Sequence, residues 1–168
     1  MSLILRLIYT SAPASVILIR LLVGAVFVTE GIQKFLFPGE VGAGRFARIG
    51  IPASEMMGPF VGVVEILCGS LLLLGLLTRL ATIPLIINMV VAIISTKIPI
   101  LLGHGFWGFS LRQLPYYGFW GMAHEARTDF AMLLGSLFLL IVGGGAWSID
   151  RRLLSKPSRA NEAEKACW

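Results

Sequence analysis

The chain has 168 residues, of which 57% are hydrophobic and 14% are charged, and it carries a formal net charge of +5. Soluble domains contain about 25% charged residues, so this composition excludes a soluble globular protein and indicates an integral membrane protein in contact with the lipid bilayer. No stripe of basic and aromatic residues accompanies the positive charge, so we expect no nucleic-acid partner.

The first apolar segment, residues 15–35, is long enough to cross a bilayer as a helix. Residues 1–14 are expected to lie along the interface and not to be removed as a signal peptide, because a charge interrupts their short apolar run. We expect Glu30 to pair with Lys34 four residues later, and Arg20 to extend to the headgroups. One helical face of this span is formed by residues at steps of four and three: Arg20, Gly24, Phe27, Gly31 and Lys34.

A loop rich in Gly and Pro follows at 37–52, and its residues 40–49 form a short amphipathic segment that is expected at the membrane interface. The second predicted span, 58–79, contains Glu65 at its middle, where a carboxyl costs about 2.5–3.5 kcal/mol on insertion scales. Small residues on a membrane helix let another helix approach closely, so Glu65 is expected to face protein or an internal cavity. It shares one helical face with Gly58, Gly62, Gly69 and Leu72.

The third predicted span, 80–102, follows after a very tight turn, so spans two and three are expected to be antiparallel neighbours. Pro99 is expected to kink or end the helix after Lys97, which leaves Lys97 close enough to the end to reach the interface. A polar seam suited to interhelical hydrogen bonds is formed by residues that share a face: Asn88, Ala92, Ser95 and Pro99.

Residues 103–127 hold a dense set of aromatic side chains of the kind that belongs at a membrane–water interface. Two interpretations of this loop are open: an anchor in the headgroup belt, or a re-entrant lid over the bundle. The fourth predicted span covers 128–146, with Thr128 or Asp129 as the cap of its first turn.

The chain therefore predicts an all-α fold, an integral membrane four-helix bundle at 1–152 with a polar tail at 153–168. Basic residues crowd the tail side of the last span, so that side is expected to be cytoplasmic. With four spans, the N-terminus is expected on the same side.

This topology brings a set of polar residues to the other side of the membrane, at the mouth of a pocket whose floor holds Glu65. An apolar and aromatic channel, a shielded carboxyl and a Lys or His partner are what a proton-coupled quinone site requires. Glu65 is the candidate catalytic residue. The candidate ligand-binding residues are Glu30, Gln33, Lys34, Asn88, His104, His124 and Asp129.

A metal site is not expected, because His104 and His124 lack the paired helical spacing of a recognisable ligand set. Ordinary interfacial histidines are the favoured interpretation. No covalently bound cofactor is expected either, and a quinone is the predicted non-covalent ligand.

Several short motifs, in their order over the four spans, resemble the DoxX family. They are Gly-Ile-Gln-Lys-Phe at 31–35, Gly-Ile-Pro at 50–52, Val-Glu-x-x-Cys-Gly at 64–69, the run 74–81 and Gly-Gly-Gly-Ala-Trp-Ser-Ile-Asp at 143–150. The resemblance implies a four-helix protein of the bacterial cytoplasmic membrane. Some members are linked to thiosulfate:quinone oxidoreductase, others to an assembly with a superoxide dismutase and a sulfurtransferase. The family's second-span acid corresponds to Glu65, and its first-span pair to Gln33 and Lys34.

The favoured hypothesis is a membrane subunit of a redox system that binds a quinone or a similar apolar ligand between its helices. The main alternative is a non-catalytic scaffold that recruits soluble redox or sulfurtransferase partners through its tail. A small-molecule transporter is less favoured, because the four spans show no inverted repeat. Homo-oligomerisation is left open.

Overall fold

The computed structural model describes residues 12–155, and all regular secondary structure in that range is helical apart from one isolated bridge between Phe106 and Phe109. The predicted all-α fold is confirmed. The helices are α1 (Val16–Leu36), α2 (Ala43–Ile49), α3 (Ser54–Leu74), α4 (Thr78–Ala92), a π-helical turn (Ile93–Lys97) that continues into α5 (Ile98–Leu102), α6 (Phe119–Val142) and α7 (Ile149–Ser155). The predicted interfacial segment 1–14 and the tail 153–168 lie mostly outside the described residues.

Four long helical segments form the bundle, as predicted. Within the described residues, three of them are long and apolar enough to cross a membrane: α1, α3 and the continuous segment Thr78–Leu102. The fourth, α6, has 24 residues and carries charged side chains only in its first half. α1 packs against α3, α3 against α4, and α4 against α6, so the four segments enclose a common interior.

Helices α1 and α3 are held in close contact by glycines on their facing sides. A Cβ atom on Gly24 would lie 2.9 Å from the carbonyl oxygen of Gly69, and one on Gly31 would lie 2.7 Å from that of Gly62. The predicted glycine face of α3 is confirmed, because Gly58, Gly62, Glu65, Gly69 and Leu72 are all buried. Glycine lets the two backbones approach to a distance that no other residue permits.

Two predicted helix boundaries are wrong. Helix α3 ends at Leu74, because Gly75 adopts a left-handed conformation with φ 68° that terminates the helix. Thr78 therefore begins the next helix and does not end the previous one. Helix α6 begins at Phe119 after Gly118, well before residue 128, so Thr128 and Asp129 lie inside the helix and do not cap it.

The third membrane segment continues past Lys97, whereas the sequence predicted a kink or an end there. A π-helical turn of 5 residues, Ile93–Lys97, precedes Pro99, and the helix then resumes to Leu102. Proline lacks an N–H and its ring clashes with the carbonyl four residues earlier, so a locally wider turn accommodates it. The π turn also directs Lys97 inward, where it is only 5% exposed, so its side chain turns into the protein and does not extend outward as the sequence predicted.

Arg20 is buried at the end of the bundle where α3 ends and α4 begins, with 2% of its surface exposed. Its guanidinium donates to the backbone carbonyls of Leu72 (2.8 Å), Leu73 (2.7 Å), Gly144 (3.1 Å) and Trp147 (2.8 Å). The last carbonyls of a helix lack partners within the helix, and Arg20 supplies donors to those of α3. The prediction that Arg20 extends to the headgroups is wrong.

Asp150 completes this end of the bundle. Its carboxylate accepts hydrogen bonds from the backbone N–H of Leu77 (2.7 Å) and Thr78 (3.1 Å) and from the Thr78 hydroxyl (3.0 Å). It therefore caps the N-terminus of α4 from a distant part of the chain. The Gly-rich motif at 143–150 and the turn at 74–78 are two halves of one structural joint.

Candidate functional site

A cavity of about 310 Å³ lies inside the bundle, on the side of Glu65 away from the Arg20 joint. All four long helical segments contribute to its wall, and α2 with its flanking residues closes it. Most of the wall is apolar, with Phe27, Met57, Met89 and Met132 among the larger side chains. Its volume is at the lower end of the range of about 300–1,000 Å³ that is typical of ligand pockets.

Glu65 is the centre of a polar cluster on this wall that joins three helices. Its Oε2 accepts a hydrogen bond of 2.6 Å from Nζ of Lys34 on α1, and its Oε1 accepts one of 2.7 Å from Nδ2 of Asn88 on α4. The side chains of Lys34 and Glu65 are 9% and 3% exposed. Both carboxylate oxygens are thus satisfied by protein donors in a buried setting, as a buried charge requires.

Glu30 does not form the predicted ion pair with Lys34. The Lys34 ammonium contacts only the main-chain carbonyl of Glu30, at 3.4 Å, and gives its ion pair to Glu65. An ion pair four residues apart on one helix, such as Glu30–Lys34, contributes only a few tenths of a kcal/mol. Lys34 therefore pairs with the buried carboxylate of Glu65, which needs a counter-charge. The Glu30 side chain lines the same cavity and has no hydrogen bond or ion pair to any other described residue.

A second ion pair lies at the cavity, between the π turn and α6. Nζ of Lys97 is 3.0 Å from Oδ2 of Asp129, and the two side chains are 7% and 24% exposed. Asp129 lines the cavity. The pair neutralises a lysine that the π turn directs into the bundle.

The segment 40–49 closes the cavity, whereas the aromatic loop does not. Val41, Arg45, Phe46 and Ile49 all line the cavity, and α2 packs against α3 at Gly58, where a Cβ atom would lie 2.6 Å from the backbone nitrogen of Ala43. Instead of lying only at the interface, this segment is part of the site. Its signal in the sequence is the recurrence of Val41, Arg45 and Ile49 at every fourth residue.

Residues 103–118 contribute nothing to the wall of this cavity, so they do not form a lid directly over it, and the re-entrant interpretation stays a prediction. Their larger aromatic side chains face outward, with Trp107 85% exposed, and Trp120 at the start of α6 is 78% exposed. Such exposure matches an anchor in the headgroup belt.

The structure brings together five of the candidate site residues on one cavity wall and leaves three apart. Gln33 is half-buried and does not line the cavity. His104 is exposed and its Nδ1 contacts the carbonyl of Gly105 at 2.8 Å, whereas His124 lies 3.2 Å from the Arg127 guanidinium. Between residues 12 and 155, no three metal-ligating side chains lie close together. The five on the cavity wall are Glu30, Lys34, Glu65, Asn88 and Asp129.

A second, larger cavity of about 640 Å³ adjoins the first, and we call it the vestibule. It lies between α2, the π turn and the loop at 110–113. Arg45 lines both cavities, together with Val41, Ile49 and Thr96. The vestibule is lined by Glu40, Val41, Arg45, Arg48, Ile49, Thr96, Lys97, Ile100, Ser110, Leu111, Arg112 and Gln113.

A four-helix membrane bundle with a buried Lys–Glu–Asn cluster on the wall of an apolar cavity is the class that the fold and the site define. The profile of the DoxX family matches residues 15–98, and the chain belongs to this family. It is 58% identical over 148 residues to the Mycobacterium tuberculosis protein named "Uncharacterized membrane protein Rv3486", covering 88% of this chain and 86% of that protein.

A more distant similarity is to the Bacillus subtilis protein named "Putative oxidoreductase CatD". The two are 26% identical over 135 residues, which cover 80% of this chain and 83% of that protein. No solved structure matches the chain. The protein is thus a multi-pass membrane protein of the DoxX family.

Proposed function

We propose that this protein is a membrane subunit of a redox-associated system and that it binds a quinone, or a similar apolar ligand with polar ring oxygens, in the 310 Å³ cavity. The observation that carries the proposal is the buried Lys34–Glu65–Asn88 cluster on the wall of an otherwise mostly apolar cavity. Apolar walls suit the ring and the tail of a quinone, and a few fixed polar groups orient its oxygens.

The cluster has hydrogen-bond donors to spare. A lysine ammonium has three donors, and Lys34 uses two of them, one on Glu65 and one on the carbonyl of Glu30. An asparagine amide has two, of which Asn88 gives one to Glu65. The remaining donors are available to a ligand oxygen, while the carboxylate of Glu65 accepts protons. A quinone that is reduced to a quinol takes up protons with its electrons, so a proton-exchanging carboxylate beside its oxygen is chemically suited.

The free-energy cost of burying charged side chains favours a functional interpretation of the Lys34–Glu65 ion pair over a purely structural one. Buried ion pairs are often no more stabilising than apolar residues of the same volume, and ionisable residues in membrane spans are expensive. The contact between α1 and α3 is already made by the facing glycine pairs Gly24–Gly69 and Gly31–Gly62. Ligand binding would account for the presence of Lys34 and Glu65 inside the bundle.

The redox assignment rests on similarity. The distant relative from Bacillus subtilis has oxidoreductase in its name, and a quinone is the apolar redox compound of membranes. We further propose a bacterial cytoplasmic membrane location with both termini in the cytoplasm, and a soluble redox or sulfurtransferase protein as a partner. A scaffold that recruits such partners through residues 153–168 is the alternative, and nothing in the described range favours it.

The direct experiment is to look for quinone in the purified protein. The chain is solubilised in mild detergent, purified, extracted with organic solvent and analysed by absorbance and mass spectrometry. Val61→Trp places a large ring in the cavity, and Val63→Trp, two residues away on the same helix, adds the same ring at an exposed position outside the cavity. We expect quinone in wild type and Val63→Trp, and a strong loss in Val61→Trp. Equal amounts of quinone in Val61→Trp and Val63→Trp would contradict the proposal that quinone binds in this cavity.

A further inference from the structure

We infer that the vestibule is a binding site for an anionic phosphate headgroup, supplied by a membrane lipid. This inference does not rest on the quinone proposal, since it concerns the neighbouring cavity of about 640 Å³.

The vestibule wall has four cationic side chains and one carboxylate, that of Glu40. Three of the cations already have acidic partners. Lys97 pairs with Asp129 at 3.0 Å, Arg112 pairs with Glu125 at 3.2 Å, and the guanidinium of Arg48 lies 3.8 Å from Glu40. Among the described residues, these pairs leave one positive charge of the vestibule wall without an acidic partner within ion-pair distance, while the unpaired Glu30 carboxylate lies on the wall of the neighbouring cavity.

That charge is on Arg45. Its side chain lines both cavities and is half-buried, yet it makes no hydrogen bond or ion pair with another residue of the described range. A guanidinium has five N–H donors in a planar fork, which the half-buried Arg45 side chain leaves open to a ligand in the vestibule. Phosphate oxygens match this fork in a bidentate arrangement. A ligand that brings such oxygens into the vestibule would satisfy Arg45 and balance its charge.

The depth of the vestibule indicates where the phosphate comes from. Trp107, Tyr116 and Trp120 are exposed in and beside the same connection between α5 and α6 that supplies the vestibule residues 110–113. Exposed Trp and Tyr mark the headgroup level of a bilayer. At that level the most concentrated phosphate is that of the lipids, and an arginine fork suits the oxygens of a lipid phosphate in either leaflet.

The test is native mass spectrometry of the full-length chain in micelles that contain either phosphatidylglycerol, which is anionic, or phosphatidylcholine, which is zwitterionic. The vestibule variant is Arg45→Gln/Arg112→Gln. The control, Arg127→Gln/Arg151→Gln, removes the same number of charges from exposed positions outside the vestibule. A second vestibule variant, the single substitution Arg45→Gln, is used if the first is not monodisperse, and it too should bind phosphatidylglycerol more weakly than wild type.

We expect wild type and the control to retain phosphatidylglycerol in preference to phosphatidylcholine. The vestibule variant should bind it roughly thirtyfold more weakly, from the affinity that two basic residues contribute near a membrane surface. Equal retention of both lipids by wild type, or an equal loss in the control, would overturn the inference. A parallel titration with inorganic phosphate separates the sources: if phosphate stabilises the protein through the same arginines while phosphatidylglycerol does not bind, the lipid assignment is wrong.

Discussion

Lys34 and Glu65 form an ion pair of 2.6 Å between α1 and α3, with side chains 9% and 3% exposed. Gly31 and Gly62, each one turn away from a member of the pair, let the two backbones approach closely. The glycine contact therefore positions the polar cluster, and packing and site are parts of one arrangement. Because the glycines and the polar cluster are different residues of this arrangement, separate substitutions can test stability and ligand binding.

Gly69→Ala should destabilise the protein. The added Cβ would lie 2.9 Å from the carbonyl oxygen of Gly24 and 3.0 Å from the backbone nitrogen of Val28, and neither can move without shifting α1. Overpacking costs about 1–3 kcal/mol, which exceeds the gain in helix propensity of about 1 kcal/mol at most. Thermal unfolding in detergent measures the difference. Gly39→Ala is the matched control, because a Cβ at Gly39 meets nothing within 4 Å. Gly69→Leu should be worse, and unchanged stability would mean that this helix face is not closely packed.

Arg20→Lys should also lower stability, although it keeps the charge. A lysine cannot reproduce the fork that reaches four backbone carbonyls at the joint between α3 and the segment 143–148. Hydrogen bonds to charged groups contribute about 1.5–3 kcal/mol each, so the loss of even one or two is measurable by thermal unfolding. The control is Arg127→Lys, an exposed position. An equal effect at both positions would contradict the buried role of Arg20.

Lys97 and Asp129 should be coupled energetically. Lys97→Met alone leaves the Asp129 carboxylate without its partner on the cavity wall, and breaking a buried pair on one side costs about 3–5 kcal/mol. The double variant Lys97→Met/Asp129→Leu removes both charges and should be more stable than Lys97→Met. A double-mutant cycle on unfolding temperature measures the coupling. Additive effects of the two substitutions would show that the pair does not interact in the membrane.

The proposed orientation is tested by labelling in intact cells. In a background without Cys68 and Cys167, a single cysteine replaces either Gly39, in the exposed loop before α2, or Arg159, which lies outside the described residues. We expect an impermeant thiol reagent to label the cysteine at position 39 and to leave that at 159 unlabelled until the cells are opened. The reverse pattern would place the termini outside. Ala43, in α2 nearby, is unsuitable for labelling because it is only 9% exposed.

The bundle itself was predictable because its signals are local. The apolar runs, and the recurrence of Gly58, Gly62, Glu65 and Gly69 on one face, follow from helical periodicity alone, and the buried face of α3 agrees with them. The same periodicity indicated that Glu65 faces inward. The polar seam supplied Asn88, which contacts Glu65 directly.

The errors concern long side chains whose partners are distant in sequence. Arg20 sits near a helix end, where extension to the headgroups and burial fit the sequence equally well; its actual partners are carbonyls on α3 and in the segment 143–148. Lys97 turns inward because of the π turn before Pro99. Lys34 has an acid four residues away on its own helix, yet it pairs with Glu65. No periodicity in a single helix decides between such alternatives.

The central claim, that the Lys34–Glu65–Asn88 cluster binds a quinone, is tested most directly by quinone retention in variants of Glu65. Glu65→Gln keeps the shape of the side chain but leaves the Lys34 ammonium without its carboxylate, so the pair variant Lys34→Gln/Glu65→Gln, which removes both charges of the pair, is measured beside it. Glu55→Gln is the control, because Glu55 is exposed in the first turn of the same helix. All variants are first checked for expression and monodispersity.

The amount of quinone extracted per protein, and its binding affinity after reconstitution, are then compared with wild type. We expect the pair variant to fold and insert normally and to bind quinone about tenfold or more weakly, the equivalent of one charge-assisted hydrogen bond of about 1.5–3 kcal/mol. Glu55→Gln should match wild type. Full retention of quinone by monodisperse Glu65→Gln and by the pair variant would contradict the account and leave the ion pair with a structural role only.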